Sequence, residues 1–338
     1  MQILRYLLPF LAVAIFGATP NAGTLDTIKT KGWLTCGVSQ GLPGFSAPDG
    51  KGSWVGIDAD FCRAVAAVAL GSAKKVKFRP LSTKEAFTAL QFGEIHILSR
   101  NVTWTQTRDS ALGVNFAGIL YYDGQGFMVR RGLGVKSARE LNGAAVCVNS
   151  GSTTELNLSD YFRTHSMKYT PVVFEKSDEV LSAYRAGRCD VFSTDQSGLY
   201  AQRLKLPNAN DHLILPEIIS KEPLGPAVRQ GDDQWFNIVR WTLFALVGAE
   251  ELGISQKNIE ALEKETSNPA IRRFVGTEGK AGANLGLDPK WAVRAIKAVG
   301  NYEELFEKHL GKDSKLKISR DLNRLWNKGG LHYAPPIR

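Results

Sequence analysis

Ala86-Phe87-Thr88-Ala89-Leu90-Gln91-Phe92-Gly93-Glu94-Ile95-His96-Ile97-Leu98-Ser99 and Val180-Leu181-Ser182-Ala183-Tyr184-Arg185-Ala186-Gly187-Arg188-Cys189-Asp190-Val191-Phe192-Ser193 are two versions of one pattern. In each, apolar residues at helical spacing lead to a glycine, and a short β-rich run follows. Gly93 and Gly187 can take the positive φ that closes a helix, and the run after each suits a buried strand. A looser echo lies upstream of both. Leu34-Thr35-Cys36-Gly37-Val38 and Ala144-Ala145-Val146-Cys147-Val148 are strand-like, and each runs through a small-residue loop into a helix, expected over 61–70 and 154–162. Strands alternating with helices imply parallel βαβ units, so the chain is expected to hold two similarly built α/β lobes. Its 338 residues fit two domains at about 150 residues each.

Composition narrows the class. Hydrophobic residues make up 43% and charged residues 22%, the balance of a chain that buries a core unaided. The 42 Lys and Arg against 33 acidic residues give a net charge of +9. These cations are scattered, often beside acids as in Arg108-Asp109 and Arg320-Asp321, with no basic block or basic-aromatic repeat, which argues against nucleic acid as a partner. Residues 1–22 read as a signal peptide: Arg5, an apolar run over 7–17, then small residues including Ala18 and Ala22. That run falls short of the roughly 20 residues needed to span a bilayer, and the apolar stretch 241–249 is better read as part of a buried helix. The mature chain is expected to be exported and soluble.

Four cysteines form an even set with three possible pairings. Cys36 and Cys62 fall in the first half of the repeat and Cys147 and Cys189 in the second, so pairing within each half would leave motion between the halves free. Four buried thiols are the alternative. A zinc site lacks the usual ligand spacing, and no metal is expected.

In open α/β sheets ligands gather outside the carboxyl ends of the strands, which here selects loops 38–46, 99–108, 149–155 and 193–198. The stretch Ser99-Arg100-Asn101-Val102-Thr103-Trp104-Thr105-Gln106-Thr107-Arg108 is rich in donors. Arg108 could clamp a carboxylate or pair with a surface acid. In Asn149-Ser150-Gly151-Ser152-Thr153-Thr154-Glu155, Ser152 and Glu155 have capping-box spacing, and the same hydroxyls and free N–H groups could receive an anion. Asp195, just past the second repeated strand, could hold an ammonium group or cap the next helix. Anion donors in two loops and a cation acceptor in a third match the two ends of an α-amino acid.

The order and spacing of Gly56-Ile57-Asp58-Ala59-Asp60-Phe61-Cys62, Leu98 through Trp104, Ser150 through Glu155, Gly187-Arg188-Cys189-Asp190 and Thr194-Asp195-Gln196-Ser197-Gly198 resemble the extracytoplasmic solute-binding proteins of polar amino-acid ABC transporters, family 3. The resemblance runs from about Thr24 to the C-terminus. It implies a two-lobed α/β fold of the type II periplasmic-binding-protein kind, each lobe a mixed, mostly parallel sheet flanked by helices, with a helical C-terminal extension. It also implies a periplasmic protein without catalytic residues or cofactor, a monomer that captures free L-amino acids and delivers them to membrane permease subunits. In the site it implies, Arg108 and Thr103 hold the α-carboxylate from one lobe, Ser152 and Thr153 hold it from the other, and Asp195 with Asn101 or a nearby carbonyl holds the α-amino group. Asp58 and Asp60 are expected to be helix caps. Leu42 stands at the position that often carries an aromatic, with Phe45 nearby, and loop 38–46 has no acid to prefer basic side chains. Broad specificity is therefore expected, with Arg100 a candidate for acidic side chains.

Asp123-Gly124-Gln125-Gly126 and Lys221-Glu222-Pro223-Leu224-Gly225-Pro226 are expected to be the interlobe crossings. They divide the chain into a first part of lobe 1 over 24–124, lobe 2 over 125–222, and a return to lobe 1 with the extension over 223–338. Helices are expected at 233–251, 256–265, 289–299, 302–310 and 319–326. Two rivals share the fold: a dehydratase-like enzyme, which needs an acid or base near its substrate, and a sensory amino-acid-binding module. The five histidines show no triad or metal spacing.

Overall fold

The computed structural model describes residues 23–338, so the expected signal peptide lies outside the described residues. The chain begins with α1 (Thr24–Lys31), β1 (Leu34–Val38), a small hairpin of β2 (Ala47–Pro48) and β3 (Trp54–Val55), α2 (Ile57–Leu70), β4 (Val76–Pro80), α3 (Thr83–Gln91), β5 (Ile97–Leu98), α4 (Gln106–Ala111) and β6 (Val114–Phe116). Past β7 (Tyr121–Asp123) follow β8 (Gln125–Arg130), β9 (Ala145–Asn149), α5 (Thr153–Thr164), β10 (Thr170–Phe174), α6 (Ser177–Arg185), β11 (Val191–Asp195), α7 (Gln196–Arg203) and β12 (His212–Ile214). Then come β13 (Glu222–Leu224), β14 (Ala227–Arg229) and the helices α8 (Asp233–Glu251), α9 (Ile259–Glu265), α10 (Pro269–Phe274), α11 (Ala281–Asn284), α12 (Trp291–Val299) and α13 (Tyr302–His309).

Two five-stranded sheets repeat one plan, in the orders β4-β1-β5-β14-β6 and β10-β9-β11-β8-β12. The quoted repeat is α3–β5 in one and α6–β11 in the other, with Gly93 at φ +70° and Gly187 at φ +74°. After each glycine the chain makes the same turn: Glu94 N–H donates to Ala89 O, and Arg188 N–H to Ala183 O. Even the edge bond recurs with different chemistry. Thr35 N–H donates to His96 Nδ1 at 2.9 Å, and Ala145 N–H donates to Asp190 Oδ2 at 2.9 Å. Burial, followed by the charges of Lys31 and Arg229, lowers the His96 pKa to about 4, which keeps that ring nitrogen an acceptor.

The sheets are mixed and mostly parallel, as expected: in each, four of the five strands run one way and the fifth, β14 or β8, runs against them. In each, two strand pairings are parallel and two antiparallel. The reason is the crossing. β7 and β13 pair antiparallel as a two-stranded ribbon, Tyr121 opposite Leu224 and Asp123 opposite Glu222. The strand that enters each sheet from this ribbon, β8 or β14, runs against the strands whose carboxyl ends face the other sheet.

Cys36–Cys62 ties β1 to α2 and Cys147–Cys189 ties β9 to the turn before β11, with Cα separations of 6.3 and 5.7 Å. The first sheet packs on α2, α8 and α12 around a core that includes Phe61, Trp235 and Trp291. Gly56 is required where the loop after β1 meets α2: a Cβ there would lie 2.1 Å from Phe45 O. Gly56 is also the N-cap of α2 and Asp58 and Asp60 sit inside the first turn, so neither aspartate is a cap. Asp60 instead binds Arg63, Lys308 and His309.

The extension corrects a further expectation. Residues 319–326 are not a helix; two short 3₁₀ turns, Asp321–Asn323 and Trp326–Lys328, flank extended backbone. Long-range polar bonds override the local pattern. Arg320 grips Glu250 through two bonds of 2.8 Å, and the Asn323 amide pairs with both Tyr122 N–H and Tyr122 C=O at 2.7 and 3.0 Å. Asp321 accordingly takes φ +38°.

Candidate functional site

Facing strand ends of the two sheets enclose a cavity of about 290 Å³, near the small end of the roughly 300–1,000 Å³ usual for small-molecule sites. All four loops selected from the sequence reach it, through Leu42, Arg108, Thr153 and Asp195 among others. Phe45 does not. It is 1% exposed and packs edge-on against Tyr121 at 5.5 Å, because the turn from Leu42 to Ser46 folds it back into the core.

Arg108 lies in the first turns of α4, below the N-cap Thr105. Its Nη1 donates to Thr103 O at 2.9 Å, and the guanidinium lies 5.1 Å from the Phe87 ring centroid. Among the described residues it pairs with no surface acid. Burial pushes its pKa down, while Glu222 and Asp195 act at longer range to raise it. Beside it Arg100, 8% exposed, also lines the cavity. Asn101 follows with φ +49° and a buried Oδ1 that has no partner. Asp58 supports this loop from below, accepting the Ser99 hydroxyl at 3.0 Å. Burial outweighs that bond and raises the Asp58 pKa to about 6.

Across the cavity, Ser152 is the N-cap of α5, accepting from Glu155 N–H and donating to Asn149 O at 2.6 Å. The Glu155 carboxylate reaches Gly151 N–H rather than Ser152, so the capping box is incomplete. Thr103 and Thr153, from opposite loops, have their hydroxyl oxygens 3.3 Å apart, and both donate to Glu222 Oε2. The hydroxyls expected to meet a ligand carboxylate are therefore committed within the protein. What α5 leaves open are N–H groups of its first turn.

Asp195 occupies the N-cap position of α7 but makes no capping bond. It is 7% exposed and lines the cavity. Burial raises its pKa well above the ordinary range, and the nearby carboxylates of Asp123 and Glu222 raise it further against Arg108 and Arg100. Asp123, held by Ser197, is itself raised to about 6 by burial. Asp195 in the cavity wall thus has two further carboxylates, Asp123 and Glu222, behind it and the guanidinium groups of Arg108 and Arg100 near it.

A family model described as bacterial extracellular solute-binding proteins, family 3, matches residues 34–260. The chain belongs to that family. The general L-amino acid-binding periplasmic protein AapJ of Rhizobium johnstonii is 60% identical over 328 residues, 96% of each chain. The glutamate/glutamine/aspartate/asparagine-binding protein BztA of Rhodobacter capsulatus is 52% identical over 328 residues, 97% of each chain. A solved ABC transporter periplasmic binding protein from Brucella ovis, with glutathione bound, superposes with a TM-score of 0.92 at 56% identity, covering 94% of this chain and 100% of that one. This family-3 chain thus has the type II periplasmic-binding-protein fold.

Several cavity residues of this solute-binding protein were not singled out from its sequence: Thr83, the segment Lys176–Glu179, and Gln202. The first two follow β4 and β10, whose carboxyl ends also face the cavity, so the strand-end rule applied to every parallel strand would have found them. Glu222, 1% exposed and bonded to four donors, gives no local signal beyond its place in a crossing segment.

Proposed function

We propose that this protein is the substrate-binding component of an ABC transporter, binding free L-amino acids of several kinds in the periplasm and handing them to membrane permease subunits. One observation carries the reading. Half-buried Arg108 and buried Asp195, on loops of different sheets, line one cavity and have no ion partner among the described residues, which leaves a cation for an α-carboxylate and an anion for an α-ammonium. We take residues 24–124 with 223–338 as one lobe and 125–222 as the other, hinged at the β7–β13 ribbon. The α-carboxylate meets Arg108 and the first-turn N–H groups of α5 around Ser152 and Thr153. Asp195, with Asn101 Oδ1, takes the ammonium, and Leu42 borders the side chain. Thr103 acts by placing Arg108, through its carbonyl.

The names of the two relatives support amino acids as the cargo. The glutathione of the Brucella structure agrees, because its γ-glutamyl end carries the same head group. The ligand bridges both lobes and favours the closed form by its differential affinity, which is binding and not bond making. Native mass spectrometry of gently purified protein, then calorimetry against the twenty amino acids, tests this. Arg108→Ala and Asp195→Ala should each weaken binding at least about thirtyfold, since each strands an opposite charge of the ligand. Unchanged affinity in both variants, or turnover of the bound compound, would overturn the reading.

A further inference from the structure

Several of the buried and half-buried arginines among the described residues are held by close acceptors. Arg320 holds Glu250 through two bonds, Arg130 donates to the carbonyls of Tyr184 and Cys189, and Arg294 to those of Ala67 and Val68. Arg100 departs from this. It is more than nine-tenths buried at the end of β5 and lines the cavity. Its Nη1 makes one long bond, 3.3 Å to Thr83 Oγ1, and its Nε is buried with no partner at all. The acids that act on it do so only from a distance: Asp58, Asp195 and Glu85. Glu85 is held by Ser82 N–H in the capping box of α3, and Asp58 accepts from Ser99 through Oδ1 while its Oδ2 bonds to neither Arg100 nor any other described residue. The third faces the ligand's ammonium group. A buried guanidinium without an anion is costly, and Arg108 stands close enough to repel it.

An α-amino acid has one carboxylate at its head, and Arg108 with the start of α5 accounts for that. Arg100 remains as a second cation inside the same cavity. The other charged residues of the lining, Lys176, Asp178 and Glu179, are exposed at the rim, where water solvates them. We propose that Arg100 is the counter-site for a second carboxylate on the ligand, so that amino acids with acidic side chains are the preferred cargo of a cleft that also accepts neutral ones. This rests on the amino-acid reading above and adds to it a residue and a ranking of ligands. Thr83 orients the guanidinium, and the ligand replaces the anion that the protein withholds.

The test is calorimetry with L-glutamate, L-aspartate, L-glutamine and L-leucine on the mature chain, on Arg100→Gln and on Arg100→Lys, with thermal melting to verify folding. The unsubstituted protein should bind glutamate at least about tenfold tighter than glutamine, which has the same shape without the charge. Arg100→Gln should lower the glutamate-to-leucine affinity ratio at least about thirtyfold, and Arg100→Lys should restore part of it. An equal loss for glutamate and leucine would mean that Arg100 shares the α-carboxylate with Arg108, and would overturn the proposal. So would a protein that binds leucine and glutamine but shows no preference for glutamate, a result that needs no variant to fold and leaves the amino-acid reading standing. Failure to bind any of the four ligands would instead defeat both.

Discussion

Glu222 Oε2 accepts the Thr153 hydroxyl at 2.9 Å while also accepting that of Thr103 at 2.5 Å. A carboxylate on the β7–β13 ribbon therefore joins one hydroxyl from each side of the cavity. Its other oxygen takes Asn157 Nδ2 at 2.7 Å and Ser220 Oγ at 2.6 Å. All four partners donate, so the group must be an acceptor at both oxygens. Glu222→Gln replaces one acceptor with an amide that can only donate, and two of the four bonds lose their partner. The expected cost is about 1–3 kcal/mol, read as a fall of several degrees in melting temperature. Small-angle scattering with saturating ligand should show a larger share of the open form than in the parent. A variant with the parent's melting temperature and closure would remove Glu222 from this role.

With Asp195 as the proposed ammonium partner, ligand binding depends on pH. Its carboxyl is raised by burial and by the carboxylates of Asp123 and Glu222, and Asp123 is raised to about 6. A folded-state pKa above the unfolded one gives the ligand-free protein stability that is fully present below the unfolded value, near 4, and is lost as pH rises through the folded value. A bound ammonium group favours the charged form and reverses this. The melting temperature without ligand should thus fall as pH rises above about 4 while the increment added by ligand grows. Calorimetry in two buffers of different ionisation enthalpy should detect protons released on binding in that range. Asp195→Asn should remove most of that release; if it leaves it intact, the titrating group lies elsewhere.

The parts legible in the sequence were those encoded locally. Gly93 and Gly187 mark helix ends by their own backbone freedom, and the runs after them are apolar for burial reasons that need no distant partner. Loop residues near the cavity followed from strand polarity alone. What was missed depends on where a side chain turns, decided by a nearby backbone turn in two cases and by distant partners in the third. Ser152 has the residue type of an anion donor, yet its hydroxyl closes onto Asn149 O. Leu42 and Phe45 are three residues apart with similar chemistry, and only the turn between them decides that one borders the cavity and the other enters the core. Residues 319–326 have helical spacing but follow the side chains of Arg320 and Asn323 to Glu250 and Tyr122.

Asn323 gives that last case an energetic consequence. Its amide occupies both backbone groups of Tyr122 in β7, the outgoing strand of the hinge ribbon, and Tyr302 Oη holds Leu120 O at 2.8 Å just before it. The C-terminal extension thus supports the hinge strand by its edge. Asn323→Ala should deprive the half-buried Tyr122 N–H and C=O of these partners and cost about 1–3 kcal/mol. Hydrogen exchange should show faster opening around Tyr122 with little change in the second sheet. Uniform loss of protection in both sheets would make Asn323 a general core residue and not a support of the hinge.

Lys205, just past the end of α7, reaches across the cavity mouth: its Nζ donates to Gly41 O at 2.8 Å and to Asp178 Oδ1 at 3.1 Å. Gly41 belongs to the loop after β1 and Asp178 to the start of α6, so the first bond spans the two sheets and the second does not. A bond that exists only when the sheets approach each other stabilises the closed form without stabilising either sheet, and so resists release more than it aids capture. As a partly exposed contact it is worth about 0–1 kcal/mol. Lys205→Ala should accordingly leave the melting temperature of the ligand-free protein unchanged and raise the ligand dissociation rate about two- to fivefold, with a matching rise in Kd. Asp178→Ala, which removes only the anchor on the same side, should have a smaller effect. Stopped-flow displacement of bound amino acid separates the two rates; a slower association with unchanged dissociation would show that Lys205 guides entry instead of holding the cleft shut.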